Sequence, residues 1–199
     1  MNRDRLIALL ILLLLAVLAA IGCVVYRAQM ARVLGAIGLG RVSAGAWPGS
    51  LGERPIDLAL RYEWHASTMP PPYHYEYTIV VGPGLEGAIT LYPDYPGEGV
   101  PEWREAFAAT DAELDYLYGL MVEARALGGR WVEAADRPVG GEVDWLEVTA
   151  DGETTRIPAL VKGREALEPV YGAIRALVPA ETWERLRARR QAYEDGYAG

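Results

Sequence analysis

Two histidines and two glutamates are spaced so that a hairpin would gather them. Glu63 and His65 alternate near the end of one polar and apolar pattern, and His74 and Glu76 alternate at the start of the next. A turn near residue 69 or 70 would bring all four side chains onto the polar face of two antiparallel strands. Two imidazoles and two carboxylates are suitable ligands for zinc or a similar ion, so these residues are a candidate metal site. The favoured interpretation is nevertheless the solvated face of a hairpin, since polar residues alternate in this way whenever the other face is core.

Two segments with a period of two supply those strands. The apolar face of the first carries Leu58, Leu60, Tyr62 and Trp64. The corresponding face of the second begins with Tyr73, Tyr75 and Tyr77. This periodicity predicts half-buried strands. A tyrosine stripe also suits a surface that binds a sugar or a peptide, but aromatic residues are favoured in any sheet core, and the core interpretation is preferred.

The remaining segments predict a third strand, a helix, a hairpin and two helices. The third strand falls at 87–92, and Glu102 and Glu105 are assigned to a loop and to the helix start after it. Thr110 and Glu113 form a capping box for a helix over 111–127. Asp151-Gly152, a usual hairpin dipeptide, joins strands predicted at 142–149 and 154–161. The order β-β-β-α-β-β-α-α predicts an α+β domain, with an antiparallel sheet of about five strands and helices packed on one face.

The last predicted helix carries a run of basic side chains. The run consists of Arg185, Arg187, Arg189 and Arg190. Such a run suits anionic lipid headgroups or the carboxylates of a protein partner. Because Glu181, Glu184 and Glu194 lie among the arginines, the solvated outer face of a short helix is the preferred interpretation.

The N-terminal segment 6–26 is apolar and contains no charged side chain. At about 1.5 Å per residue, a helix over this segment is about 31 Å long, which matches a hydrocarbon core of about 30 Å. We therefore predict a single transmembrane helix, with the lipid bilayer as its partner and the cell membrane as the location. The predicted organisation is an anchor at 1–27, a glycine-rich linker at 28–54 and a soluble domain at 55–199.

Cys23 is the only cysteine of the chain. The sequence Ala20-Ile21-Gly22-Cys23 resembles a bacterial lipobox, which makes Cys23 a candidate lipidation site. The apolar run continues beyond it, so a cysteine that packs within the membrane helix is preferred. An N-terminal anchor followed by one domain is most simply a tether that holds this domain outside the cytoplasm.

Composition and motifs argue against several functional classes. Lys and Arg number 19 against 27 Asp and Glu, and the resulting net charge of −8 argues against a nucleic-acid partner. The chain has no P-loop, no H-E-x-x-H, no G-x-S-x-G and no C-x-x-C. We therefore expect no cofactor and favour a protein that is not an enzyme.

Four segments within about residues 73–177 carry a resemblance. They are HYEYTIVVGPGLEGAITLY, TDAELDYLYGLMVEARAL, EVDWLEVTADGETTRI and LEPVYGAIRAL. Together they resemble a group of small bacterial proteins that includes the emfourin-type inhibitors of thermolysin-like metalloproteases. The resemblance implies a non-catalytic α+β module that binds a peptidase or another protein, and it assigns no functional residue.

The sequence thus predicts a single-pass membrane protein that presents a non-catalytic binding domain. One alternative is a small metal-dependent hydrolase that uses the His65/His74 hairpin. Another is a structural subunit of a membrane complex, for which Ala16 and Ala20 supply small residues on one helix face.

Overall fold

The computed structural model confirms an α+β domain built on an antiparallel sheet. The structure describes residues 53–66, 68–134 and 141–197. Within these residues the sheet has six strands, one more than predicted, in the order β4-β3-β2-β1-β5-β6. The strands are β1 (Ala59–His65), β2 (Glu76–Val81), β3 (Glu86–Tyr92), β4 (Trp103–Ala108), β5 (Val143–Ala150) and β6 (Glu153–Ile157).

Alternation along the strands separates a buried face of the sheet from a polar one. On β1, Tyr62 is fully buried while its neighbour Arg61 is exposed. The three helices are α1 (Asp111–Glu123), α2 (Glu168–Leu177) and α3 (Ala180–Tyr197). Their buried side chains, such as Leu117 and Ile174, belong to the same core cluster as Tyr62 and Ile79 of the sheet. The helices therefore cover the buried face, as the apolar periodicity predicts.

The strand that the sequence analysis missed is β4. Residues 103–108 pair with β3, with Leu91 opposite Trp103 and Gly87 opposite Phe107. The prediction that Glu105 belongs to a loop or a helix start is wrong. Glu105 lies between Trp103 and Phe107 on the buried face, and a carboxylate there interrupts the apolar alternation that marks a strand.

Helix α1 begins at the predicted capping box. The Glu113 amide donates to Thr110 Oγ1 at 3.3 Å, and the Thr110 amide donates to the Glu113 carboxylate at 2.8 Å. These contacts satisfy two amides that have no partner within the helix. The helix ends at Glu123, earlier than the predicted 127, and Arg125 follows with a left-handed φ of 54°.

We expect Thr110→Ala to lower the free energy of unfolding by about 1 kcal/mol, because the first turn of α1 loses its cap. Urea unfolding followed by circular dichroism measures this change. The matched control is Thr68→Ala, which removes an exposed threonine outside any helix and should leave the midpoint unchanged. Equal effects of the two substitutions would contradict a stabilising role for the cap.

The β5–β6 turn is held by a carboxylate from the start of the domain. Asp151 and Gly152 both have positive φ, as a two-residue hairpin turn requires. Their amides donate to the two oxygens of Asp57 at 2.9 and 2.7 Å. These hydrogen bonds, first from Gly152 and then from Asp151, lower the pKa of Asp57 below its ordinary value.

The lowered pKa makes the contribution of Asp57 dependent on pH. A carboxylate whose pKa is lower in the folded state stabilises the fold above its unfolded pKa of about 4, and this stability is lost as the pH falls through the folded value. Asp57→Ala should therefore lower the melting temperature at pH 7 and have a smaller effect near pH 2. Glu98→Ala, at an exposed loop position, is the control. An equal effect of Asp57→Ala at both pH values would contradict this assignment.

The chain that leads into β1 is fastened to the domain. Arg54, the last residue of the predicted linker, contacts Asp111 and Asp115 of α1 at 2.7 Å each. Together with Asp57, this contact fixes the segment before β1. The predicted transmembrane helix at 6–26, Cys23 and most of the predicted linker lie outside the described residues. Among the described helices, none has the length and apolar character needed to cross a membrane.

Candidate functional site

The β1–β2 pairing gathers the four predicted metal ligands. His65 lies opposite Glu76 in the sheet register. His65 Nδ1 lies 3.1 Å and His74 Nε2 2.8 Å from the same atom, Glu76 Oε1. Glu63 is farther away, with its Oε2 4.0 Å from His65 Nε2. The sequence therefore predicted the proximity of these residues correctly.

In this arrangement both imidazoles meet the same carboxylate oxygen of Glu76. His74 is only 3% exposed and stacks on Tyr95, with ring centroids 3.7 Å apart, so its predicted place on a solvated face is wrong. The prediction assumed that His74 lies on the second strand. Because β2 begins only at Glu76, His74 does not follow the alternation of that strand. Across the described residues, no group of three or more His, Cys, Asp or Glu side chains is placed to hold a metal ion. The metal site and the hydrolase that would use it therefore stay predictions.

A second cluster lies where β1 ends and where β2 and β5 begin, and we call it the arginine cleft. It is a cavity of about 500 Å³, within the usual range of sites for small ligands. It is lined by Trp64, Tyr75, Tyr77, Leu91, Glu142, Asp144, Arg164, Glu168, Arg175, Trp183, Arg187 and Arg190. The sheet supplies the aromatic residues of its floor, and α2, α3 and the segment after β6 supply its arginines.

Stacked rings from neighbouring strands form the floor. Trp64 and Tyr77 stack with centroids 5.0 Å apart, and the Tyr75 ring lies 4.8 Å from Trp64. Trp183 of α3 meets Tyr77 edge-on. Of the predicted tyrosine stripe, Tyr75 and Tyr77 line the cleft, whereas Tyr73 is 56% exposed and precedes β2. The stripe is therefore both part of the core and part of a cavity wall.

A buried carboxylate organises one wall of the cleft. Asp144 of β5 is 2% exposed and contacts Arg164, the Tyr62 hydroxyl and Arg175, the last at 3.7 Å. The Tyr62 hydroxyl donates to Asp144 and accepts from Arg175 Nη1 at 2.7 Å. Burial raises the pKa of Tyr62, so the hydroxyl keeps its proton and remains a donor. The two guanidiniums are thereby held in fixed positions at the edge of the cleft.

Helix α3 supplies the opposite wall. The Arg190 guanidinium lies over the Tyr75 ring at 3.9 Å and pairs with Glu194. Arg187 Nε donates to the Trp183 carbonyl at 3.2 Å, and Arg187 has no ion pair with any carboxylate of the described residues. The Nε atoms of Arg164 and Arg190 are buried and have no hydrogen-bond partner among the described residues, although Arg164 Nε lies 3.5 Å from Glu168 Oε1. The guanidinium that the cleft can offer to a ligand is therefore that of Arg187, which is exposed.

The predicted solvated face of the last helix is confirmed for three of its arginines, which are exposed, but the run also makes specific contacts. Arg185 contacts Glu105 of β4 at 2.5 Å, and Arg189 contacts the same carboxylate at 3.9 Å. Arg187 and Arg190 line the cleft. Although Arg185, Arg187 and Arg189 are exposed, the arginine run is directed to specific contacts along the sheet.

Sequence reasoning did not identify Asp144, Arg164 or Arg175. Asp144 gives a local signal, because it is an acidic residue at a core-facing position of a predicted strand. The two arginines give no such signal, since they come from separate segments that meet Asp144 only in the folded chain.

A larger neighbouring cavity of about 850 Å³ shares Glu142, Arg164 and Glu168 with the arginine cleft. Its remaining charged lining is Glu133 and Glu165, so carboxylates outnumber arginines there. An anionic group therefore has more favourable partners in the arginine cleft.

Comparison with known proteins gives no assignment for this domain. The chain matches no protein-family model and no curated protein. The function of the arginine cleft is therefore inferred from its own residues.

Proposed function

We propose that the protein is a membrane-tethered, non-catalytic binding protein whose domain lies outside the cytoplasm and holds a small anionic ligand in the arginine cleft. The observation that carries the proposal is the arrangement of four arginines around an aromatic floor, with Arg187 paired to no carboxylate of the described residues. Guanidinium groups bind oxyanions through paired hydrogen bonds, and aromatic rings add apolar contact area.

The lining supports binding rather than turnover. It contains no serine, cysteine, lysine or histidine, and its acidic residues are Glu142, Asp144 and Glu168. Its most buried carboxylate, Asp144, is occupied by Tyr62 and two arginines. The resemblance to non-catalytic inhibitor modules supports the same choice.

The position of the cleft suits a tethered domain. The chain enters the domain at the end of the sheet where β1 begins. The cleft lies at the opposite end of β1, where Trp64 lines it. These ends are separated by the length of β1, about 20 Å. A domain attached through residue 53 therefore keeps the cleft away from the point of attachment.

Two measurements on the full-length chain test the proposal. Reporters fused to the C-terminus, one active only outside the cytoplasm and one only inside, test its location, and we expect only the first to be active. Calorimetric titration in detergent with citrate, benzoate and D-glucuronate tests binding, and we expect at least one of these anions to bind. Activity of the inside reporter would overturn the location, and absence of binding by every anion would overturn the function.

A further inference from the structure

We infer that the ligand of the arginine cleft is an acidic sugar, or a similar polyhydroxy acid of monosaccharide size, that carries a single carboxylate. This inference rests on the proposed binding function and specifies its ligand. Three properties of the cleft lead to it: the charge that is left unpaired, the mixture of donors and acceptors, and the aromatic floor.

The one lining arginine without a carboxylate partner among the described residues favours one negative charge on the ligand. Arg164 and Arg175 share Asp144, and Arg190 pairs with Glu194. Arg187 is the one lining arginine without a carboxylate among the described residues. A monocarboxylate would complete this single pairing through a planar, two-bond contact. A phosphate dianion would bring a second charge close to Glu142, Asp144 and Glu168, and like charges repel.

The cleft also presents acceptors, which a simple anion cannot use. Glu142 lines the cavity and accepts from Trp64 Nε1 at a long 3.3 Å. Glu168 lines it too and is 53% exposed, with 3.5 Å between its Oε1 and Arg164 Nε. Carboxylate oxygens accept several hydrogen bonds, so both side chains retain free acceptor capacity. Hydroxyl groups both donate and accept, and they therefore match a wall in which glutamates and arginines alternate.

The aromatic floor supplies the remaining contact. Trp64 comes from β1, Tyr75 from the residue just before β2 and Trp183 from α3, and all three line the cleft. A pyranose ring has an apolar face of C–H groups that can pack on such rings, while its hydroxyls point outward to polar walls. Tilted aromatic rings with charged residues around them suit this ligand better than a fully apolar one.

The test is calorimetric titration of the full-length chain in detergent with D-glucuronate, D-glucose and acetate. Glucose has the hydroxyls without the charge, and acetate has the charge without the hydroxyls. We expect glucuronate to bind at least about tenfold more tightly than either. Glucose cannot form the charged hydrogen bonds to arginine, and acetate cannot form the hydroxyl hydrogen bonds. Arg187→Gln should weaken glucuronate binding by about ten- to a hundredfold, the range for a lost hydrogen bond to a charged group.

Arg104→Gln is the matched control, because Arg104 is exposed on β4 and lies in register with Thr90 on the face of the sheet away from the helices. It should leave glucuronate binding unchanged. Melting temperatures of both variants equal to that of the wild type would show that they are folded.

Equal binding of acetate and glucuronate, or glucuronate binding that Arg187→Gln leaves intact, would overturn the inference. If citrate or benzoate binds in an Arg187-dependent manner and glucuronate does not, the sugar is wrong and the binding function stands. If no anion binds, both are wrong.

Discussion

Replacing Asp144 with alanine is expected to lower the free energy of unfolding of the domain by about 3 kcal/mol, because it removes one partner of a buried ion-pair network. Asp144 is 2% exposed; its carboxylate accepts from Arg164 and the Tyr62 hydroxyl and forms an ion pair with Arg175 at 3.7 Å. Without it, a buried hydroxyl loses its acceptor and two guanidiniums lose their counter-charge. Breaking a buried pair costs about 3–5 kcal/mol.

The lower end of that range is the expected one. The side chains of Arg164 and Arg175 are 31% and 36% exposed, so water can solvate part of each guanidinium after the substitution. Tyr62 has no such access, since it is fully buried. Its stranded hydroxyl is therefore the main part of the expected loss.

Urea unfolding of the full-length chain in detergent, followed by tryptophan fluorescence, measures the effect of Asp144→Ala. The matched control is Asp115→Ala, which removes a 62% exposed carboxylate that also pairs with an arginine. An exposed pair is worth about 1 kcal/mol or less, so this variant should remain close to the wild type. If Asp144→Ala cost no more than Asp115→Ala, the buried network would not be a source of stability.

Gly87→Ala is expected to destabilise the domain by about 1–3 kcal/mol, the usual cost of forcing extra volume into a packed site. Gly87 on β3 lies opposite Phe107 on β4, and a Cβ at Gly87 would overlap the Phe107 ring. The phenyl ring covers the glycine, an arrangement that protects an otherwise uncovered stretch of strand. The backbone of Gly87 has no left-handed φ, so the steric overlap alone accounts for the expected effect.

A double-mutant cycle separates this overlap from other effects. Phe107→Ala removes the ring and creates room for the new methyl group, so the double variant should lose less stability than the sum of the two single variants. Gly84→Ala is the control, because a Cβ there meets nothing within 4 Å. Strict additivity of Gly87→Ala and Phe107→Ala would show that the ring does not restrict position 87.

The parts of the fold that could be predicted depend on short-range chemistry. The Thr110 and Glu113 capping box and the Asp151-Gly152 turn are both present, since each requires only neighbouring residues to interact. The pairing of β1 with β2 followed from their alternation and from the position of the turn between them. These signals are local, and tertiary packing does not change them.

The parts that could not be predicted depend on contacts between distant segments. The sequence did not reveal strand β4 because Glu105 occupies a core-facing position. Its carboxylate is paired there with Arg185 of α3, which is distant in sequence. His74 was assigned to a polar face because the contact with Tyr95 is not visible in the chain around it. The arginine cleft draws residues from four strands and two helices, and no single segment contains its pattern.

The central position of β1 has a mechanical consequence. The chain is fastened before this strand by Arg54 and Asp57, and Trp64 at its far end forms part of the cleft. A pulling force between residue 53 and a ligand in the cleft would therefore act along β1. Because β1 pairs with β2 on one side and β5 on the other, the hydrogen bonds of both ladders are loaded in shear together, not peeled apart in succession. The domain is thus built to resist tension along the line that joins the segment before β1 to the arginine cleft.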